Sequence, residues 1–171
     1  VLSGEAGIGK SRIVLALRER IRNEPRFRIG YSCSPHHMDS ALWPVFVQLQ
    51  RAAGYLREDA SWLKLEKLEQ LLDKAGGFGE DATPLLADLM GLPLLGRYAA
   101  PAGTPQEKKA RVFGILLAQM EGLSRQRPML MVLEDAHWLD PTSAELFERM
   151  VDRIRVLPIL LVATLRPDVP T

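Results

Sequence analysis

Cysteine is nearly missing from this chain. Cys33 is the only one in 171 residues, so neither an internal disulfide nor an all-cysteine metal site can form, and a reducing compartment suits the composition. An excess of one charge is missing too. The 22 Lys and Arg against 21 Asp and Glu leave a formal net charge of +1, which removes any general attraction to nucleic acid or to an anionic membrane surface. No apolar run approaches the ~20 residues of a membrane span, and no signal-peptide pattern opens the chain, so it reads as cytoplasmic. Internal repeats and low-complexity tracts are absent. What remains is 47% hydrophobic and 25% charged, enough to bury one substantial core, and the length suggests one domain.

Against that plain background one stretch stands out. Gly4-Glu5-Ala6-Gly7-Ile8-Gly9-Lys10-Ser11 fits the phosphate-binding pattern G-x-x-x-x-G-K-[ST] at every defined position. Its glycines allow a tight loop whose N–H groups point inward, a concavity shaped for a polyphosphate. Lys10 is then placed for the β- and γ-phosphates, and the Ser11 hydroxyl for one coordination position on a bridging Mg²⁺. An amphipathic helix follows, with Ile13, Val14, Leu17 and Ile21 at helical spacing and Arg12, Arg18, Glu19 and Arg20 on the other side. The loop therefore opens a helix, whose first amides and dipole favour an anion. Only Val1, Leu2 and Ser3 precede the loop, fewer than the ~5 residues of an ordinary strand, so the first strand is expected to be incomplete.

The rest of the chain alternates strand-like and helix-like segments. Phe27, Ile29, Tyr31 and Cys33 alternate with polar or small residues as a half-buried strand over 27–33. Helices are expected over 40–53, with Trp43 and Pro44 in the first turn, and over 61–75, with Trp62, Leu65, Leu68, Leu72 and Ala75 inward and Gly76-Gly77 as the stop. Thr83-Pro84 reads as the cap and first position of a short helix closed by Gly91 and Pro93. Residues 91–103 read as a long loop. Thr104-Pro105-Gln106-Glu107 is a capping box that launches a helix to about residue 124, with Phe113, Leu116, Met120 and Leu123 inward. Met129–Leu133 is a continuous apolar run, as expected of a strand covered on both faces. Asp140-Pro141 starts a helix that buries Leu146, Phe147, Met150, Val151 and Ile154, and 159–163 is the last strand. This alternation predicts an α/β fold on a parallel sheet.

In such a sheet, ligands lie at the carboxyl ends of the strands. Beyond the phosphate loop, the polar residues at those places are Glu134-Asp135 and Thr164 with Arg166. Two acids directly after an apolar strand suit Mg²⁺ binding through one carboxylate and orientation or deprotonation of an attacking water by the other. By position Glu134 serves the metal and Asp135 the water. The usual order is a shorter acid followed by a longer one, so the shorter base here predicts slow hydrolysis. Thr164 and Arg166 are placed to sense a γ-phosphate, with an Arg166–Asp168 surface pair as the alternative. Cys33, His36 and His37 lack a fourth ligand at tetrahedral spacing, which argues against zinc. His137-Trp138 is expected to cover the end of the acidic strand, with contact to the phosphate region as the alternative role for His137.

Together the phosphate loop, Cys33-Ser34-Pro35-His36-His37 running into Ser40-Ala41-Leu42-Trp43-Pro44, Leu133-Glu134-Asp135-Ala136-His137-Trp138-Leu139-Asp140-Pro141, and Ala163-Thr164-Leu165-Arg166-Pro167 resemble the AAA-like ATPase module of the STAND class. The resemblance is to the kind found beside bacterial class III adenylate/guanylate cyclase domains and in large LuxR-type regulators. It implies a three-layer P-loop NTPase with ASCE/AAA-like strand order, the fourth strand lying between the first and third and the second at the edge. It also implies ATP and Mg²⁺ as ligands, with the phosphate loop, Lys10, Glu134, Asp135 and Thr164 converging on one phosphate. A fifth strand, a helical lid and a winged-helix region belong to the family pattern, so residues 1–171 are expected to be the NTPase core of a longer protein, truncated at both ends. The partners implied are the nucleotide and other domains of the same polypeptide: a cyclase or DNA-binding output and helical repeats. Contact of this segment with nucleic acid or membrane is not expected. The activity implied is a slowly hydrolysing ATP-dependent signalling switch. An oligomeric remodelling ATPase and an interaction scaffold with a structural nucleotide stay open as alternatives.

Overall fold

A computed structural model of the chain describes residues 1–74 and 81–167. The chain forms two compact units, one comprising Val1–Gln48 with Ser124–Thr171 and the other Leu49–Leu123.

The first unit is built on a sheet of four parallel strands, β1 (Leu2–Ser3), β2 (Phe27–Ser32), β3 (Met129–Glu134) and β4 (Ile159–Leu165), in the order β1-β4-β3-β2. The fourth strand thus separates the first from the acidic third and the second lies at an edge, as expected. Register places Ser32 beside Glu134, Leu133 beside Ala163, and Leu2 beside Thr164. Every residue of β3 from Met129 to Leu133 is buried, which is why that run carries no alternation.

Helices cover both faces of this sheet. On one face α1 (Lys10–Arg20) sets Val14 against Leu130 and Val132, with Leu2, Leu17, Ile21 and Val162 around them. Residues 130, 132 and 134 share that face because successive side chains in a strand alternate. Ile13, expected on the buried stripe, is instead 56% exposed, because the stripe that meets the sheet runs through Val14, Leu17 and Ile21. On the other face α6 (Pro141–Ile154) places Phe147 edge-on to Tyr31, with ring centroids 4.9 Å apart. The same helix buries Leu146 and Met150 but leaves Val151 45% exposed, at an open apolar groove of about 890 Å³ that Leu160 and Leu161 of β4 also line. Asp140 is the N-cap of α6, accepting from Ser143 N at 2.8 Å, as the Asp-Pro pair predicts. Between β2 and α2 (Trp43–Ala52), a 3₁₀ turn at Pro35–His37 stacks His37 on Trp43 with ring centroids 4.0 Å apart.

The second unit contains α3 (Ser61–Lys74), α4 (Ala82–Leu89) and most of α5 (Pro105–Gln126). Its core is mostly leucine: Leu65, Leu68, Leu72, Leu85, Leu86 and Leu116 are buried together with Phe113. Trp62, expected on the inward stripe of α3, is 56% exposed, since that stripe begins one turn later at Leu65. The expected stop at Gly76-Gly77, with Ala75 on the stripe, lies outside the described residues. Helix α4 starts at Ala82 with Asp81 at its cap, not at Thr83, which is buried inside the first turn. The capping box of α5 forms in both directions, Thr104 N to Glu107 Oε2 at 2.7 Å and Glu107 N to Thr104 Oγ1 at 3.3 Å, and holds the Glu107 carboxyl below the usual carboxylate range. The loop ahead of it is anchored as well, by Tyr98 Oη to Glu69 Oε1 at 2.6 Å and Arg97 to Glu69 Oε2 at 3.1 Å.

Candidate nucleotide site

The phosphate loop leaves β1 and enters α1 through two left-handed residues, Gly7 at φ 79° and Gly9 at φ 106°. An L side chain is strained at both, so backbone conformation requires glycine at these two positions. A Cβ built at either meets nothing within 4 Å. Gly9 is the residue ahead of α1, and Lys10 and Ser11 begin the helix, where the first four amides have no intrahelical partner. Lys10 Nζ is turned back onto the loop, donating to Gly4 O at 2.5 Å and Glu5 O at 2.8 Å. Glu5, Ala6, Ile8 and Ser11 are exposed.

A short chain of bonds joins this loop to the acidic pair. Gly4 N donates to Leu165 O at 3.3 Å, which fixes the start of the loop beside the end of β4. The next step inward along β4 is Thr164, 3% exposed, whose Oγ1 accepts from Asp135 N at 2.9 Å. Asp135 itself is left-handed, φ 56° and ψ 47°, one of three such non-glycine residues among the described residues. Thr164 therefore acts here as the peg that holds the turn carrying Asp135. Cys33 N donates to Glu134 O at 3.0 Å and closes the same end of the sheet from β2. The Cys33 thiol is pushed up to about 12, by burial first and then by the negative charges of Asp135 and Asp140.

Glu134 does not stand free. Its Oε1 meets Arg18 Nη2 at 3.3 Å, and that guanidinium lies over Gly30 of β2, 3.7 Å from where a Cβ would be. The sequence pattern puts Arg18 on the outward side of α1 with Arg12, Glu19 and Arg20. It reaches the sheet instead because it sits four residues after Val14, on the same helical face. Arg166 is exposed just past β4, and Asp168, its alternative partner, is outside the described residues.

His137 lies in a 3₁₀ turn, Ala136–Trp138, directly after Asp135, its ring 4.8 Å from that of Trp138. Burial lowers its pKa, Asp135 opposes that shift, and the positive charges of Arg166 and Lys10 add to it. Thus three of the groups singled out in the sequence, Lys10, Asp135 and Arg166, all act on this one ring.

The AAA ATPase domain family matches residues 1–162 of this chain. The chain belongs to that family. An uncharacterized protein of Rhizobium meliloti (strain 1021) is 30% identical over 175 residues, covering 98% of this chain. The chain spans only 16% of that relative. No solved structure matches it significantly. AAA ATPase domains generally bind ATP with Mg²⁺, and the residues present fit both. Gly7 and Gly9 border open space, and hydroxyl and carboxylate oxygens are the donors a hard cation takes. Among the described residues no three His, Cys, Asp or Glu side chains gather as a metal-ligand set. Among the same residues no helix is long and apolar enough to cross a membrane.

Proposed function

We propose that this AAA ATPase domain binds Mg²⁺-ATP in loop 4–11 and serves as the nucleotide-dependent switch of a larger signalling protein, a regulator of the adenylate/guanylate cyclase or LuxR type. The observation that carries the reading is the bonded path from the loop through Leu165 and Thr164 to Asp135, which couples the phosphate cradle to the acidic strand end. The resemblance to STAND modules supports the signalling role, and the length of the Rhizobium relative supports work within a larger polypeptide.

Bound Mg²⁺-ATP supplies an electrophilic terminal phosphorus and a diphosphate leaving group. The amides of Gly7, Gly9, Lys10 and Ser11 hold the phosphates, and the Lys10 ammonium exchanges the Gly4 and Glu5 carbonyls for phosphate oxygens. Ser11 and Glu134 hold the cation. Asp135 accepts a proton from water, while Thr164 keeps its backbone in place. Glu134 must leave Arg18 to serve the metal, a competition that favours a slow cycle and suits a timer. Arg166 senses the terminal phosphate.

Titration calorimetry of the Lys10→Ala variant with ATP is the test. Loss of a charged contact worth about 1.5–3 kcal/mol corresponds to roughly ten- to hundredfold weaker binding. Equal affinity of parent and variant would overturn the proposal.

A further inference from the structure

The sheet ends at β2, and that edge is open. Phe27 N donates to Pro128 O and Cys33 N to Glu134 O, each at 3.0 Å, so the odd-numbered residues of the strand bond to β3. By the two-residue period of a strand, Arg28, Gly30 and Ser32 turn their N–H and C=O groups the other way, where no described residue bonds them. Arg28 and Gly30 are exposed, and Phe27 and Ile29 are half-buried on the opposite face. Although the whole chain carries a formal net charge of only +1, residues 18–28 hold five arginines against two acids, Glu19 and Glu24. Arg28 Nη2 donates to Arg22 O at 3.0 Å, and among the described residues neither Arg22 nor Arg28 forms an ion pair. Leu15 lies one helical turn before Arg18, on the side from which that arginine crosses Gly30, and it is 53% exposed, so the space beside the edge is open there too.

We propose that the free edge of β2 docks an extended acidic peptide segment, which adds a strand to this side of the sheet. Alternating outward N–H and C=O groups match a polypeptide backbone, whereas a phosphate chain offers acceptors only and leaves the carbonyls unmet. A second copy of the same edge would set arginines against arginines, which like charge opposes. Carboxylates at alternate positions of the incoming strand meet Arg22 and Arg28, and the apolar residues between them extend the face of Phe27 and Ile29. Main-chain bonds supply the affinity and the arginines select the partner. Docking requires no nucleotide.

The probe is a fluorescein-labelled peptide of about eight residues alternating glutamate and valine, a length and composition that suit a strand. It is titrated into the parent protein and read by anisotropy, beside the same peptide with lysine for glutamate and beside an oligothymidylate. The expected result is binding of the glutamate peptide alone, with slowed hydrogen exchange at the amides of Arg28, Gly30 and Ser32. Arg22→Gln with Arg28→Gln should weaken it by about three- to tenfold. Gly30→Pro keeps every arginine and deletes one outward N–H, a change an edge strand tolerates, and should abolish binding. Binding that survives Gly30→Pro, or that leaves the three amides exchanging as before, is a diffuse charge attraction and overturns the inference. Failure of the glutamate peptide to bind, equal binding of the lysine peptide or the oligothymidylate, or dimerisation of the protein through this edge overturns it too. The exchange measurement needs only the parent, so it decides the matter should the proline variant unfold.

Discussion

Replacing Asp135 by glycine and, separately, by alanine separates backbone strain from chemistry at the acidic turn. Both substitutions remove the same carboxylate, and both keep the amide that donates to Thr164 Oγ1 at 2.9 Å. They differ in what they meet at φ 56° and ψ 47°. Alanine in the left-handed region is disfavoured by about 1–2 kcal/mol, whereas glycine adopts it freely. Against this, glycine gives the unfolded chain more freedom, a penalty of about 0.4–1 kcal/mol relative to alanine. The balance leaves the glycine variant about 1 kcal/mol more stable than the alanine variant, the reverse of their order at an ordinary strand or helix position. For a chain of this size that difference separates the two melting temperatures by about 2–4 °C, readable by circular dichroism. If both variants then show the same deep loss of ATP hydrolysis, the carboxylate carries the chemistry and the strain does not. An alanine variant as stable as glycine, or more so, would refute the account of this turn as a strained support.

Two further outcomes follow from the same neighbourhood. Arg18→Gln frees Glu134 from a pair whose side chains are 38% and 35% exposed, so solvent screening keeps the stability change within about 1 kcal/mol. The half-saturating Mg²⁺ concentration for nucleotide binding should fall by about two- to fivefold, and an unchanged value would show that the arginine does not compete with the cation. Asp140→Ala removes the acceptor for Ser143 N at 2.8 Å and Leu42 N at 3.4 Å at a residue 2% exposed. The cost is about 2–4 kcal/mol, the sum of a lost helix cap and a buried amide left unpaired, and a urea midpoint close to the parent's would contradict it.

Features set by neighbours along the chain are legible in the residues alone: the left-handed glycines of the phosphate loop, the capping box at Thr104, the Asp140 cap and the all-apolar β3. Each follows from a local rule, and each appears where the residues put it. The strand order is legible only through family resemblance, because periodicity reports which face of a strand is buried and says nothing of which strand lies beside it. The errors at Ile13 and Trp62 have a related origin. A helical stripe drawn from hydrophobicity alone is wider than the strip a sheet or a neighbouring helix can cover, so residues at its margin remain in solvent.

Arg18 is the instructive miss. Polarity assigns it to the outer face of α1, yet its place four residues after Val14 puts it over the sheet, and Gly30 offers no side chain to bar its path to Glu134. An arginine on a helix's apolar face, together with a glycine inside a strand, is the signal the residues carry. Such a pair says that a charged group crosses the sheet surface toward an acid, but it does not say which one, since the partner is 116 positions away. The orphaned nitrogens of His137 are harder still to anticipate. They emerge only once every neighbour is in place and none pairs with them.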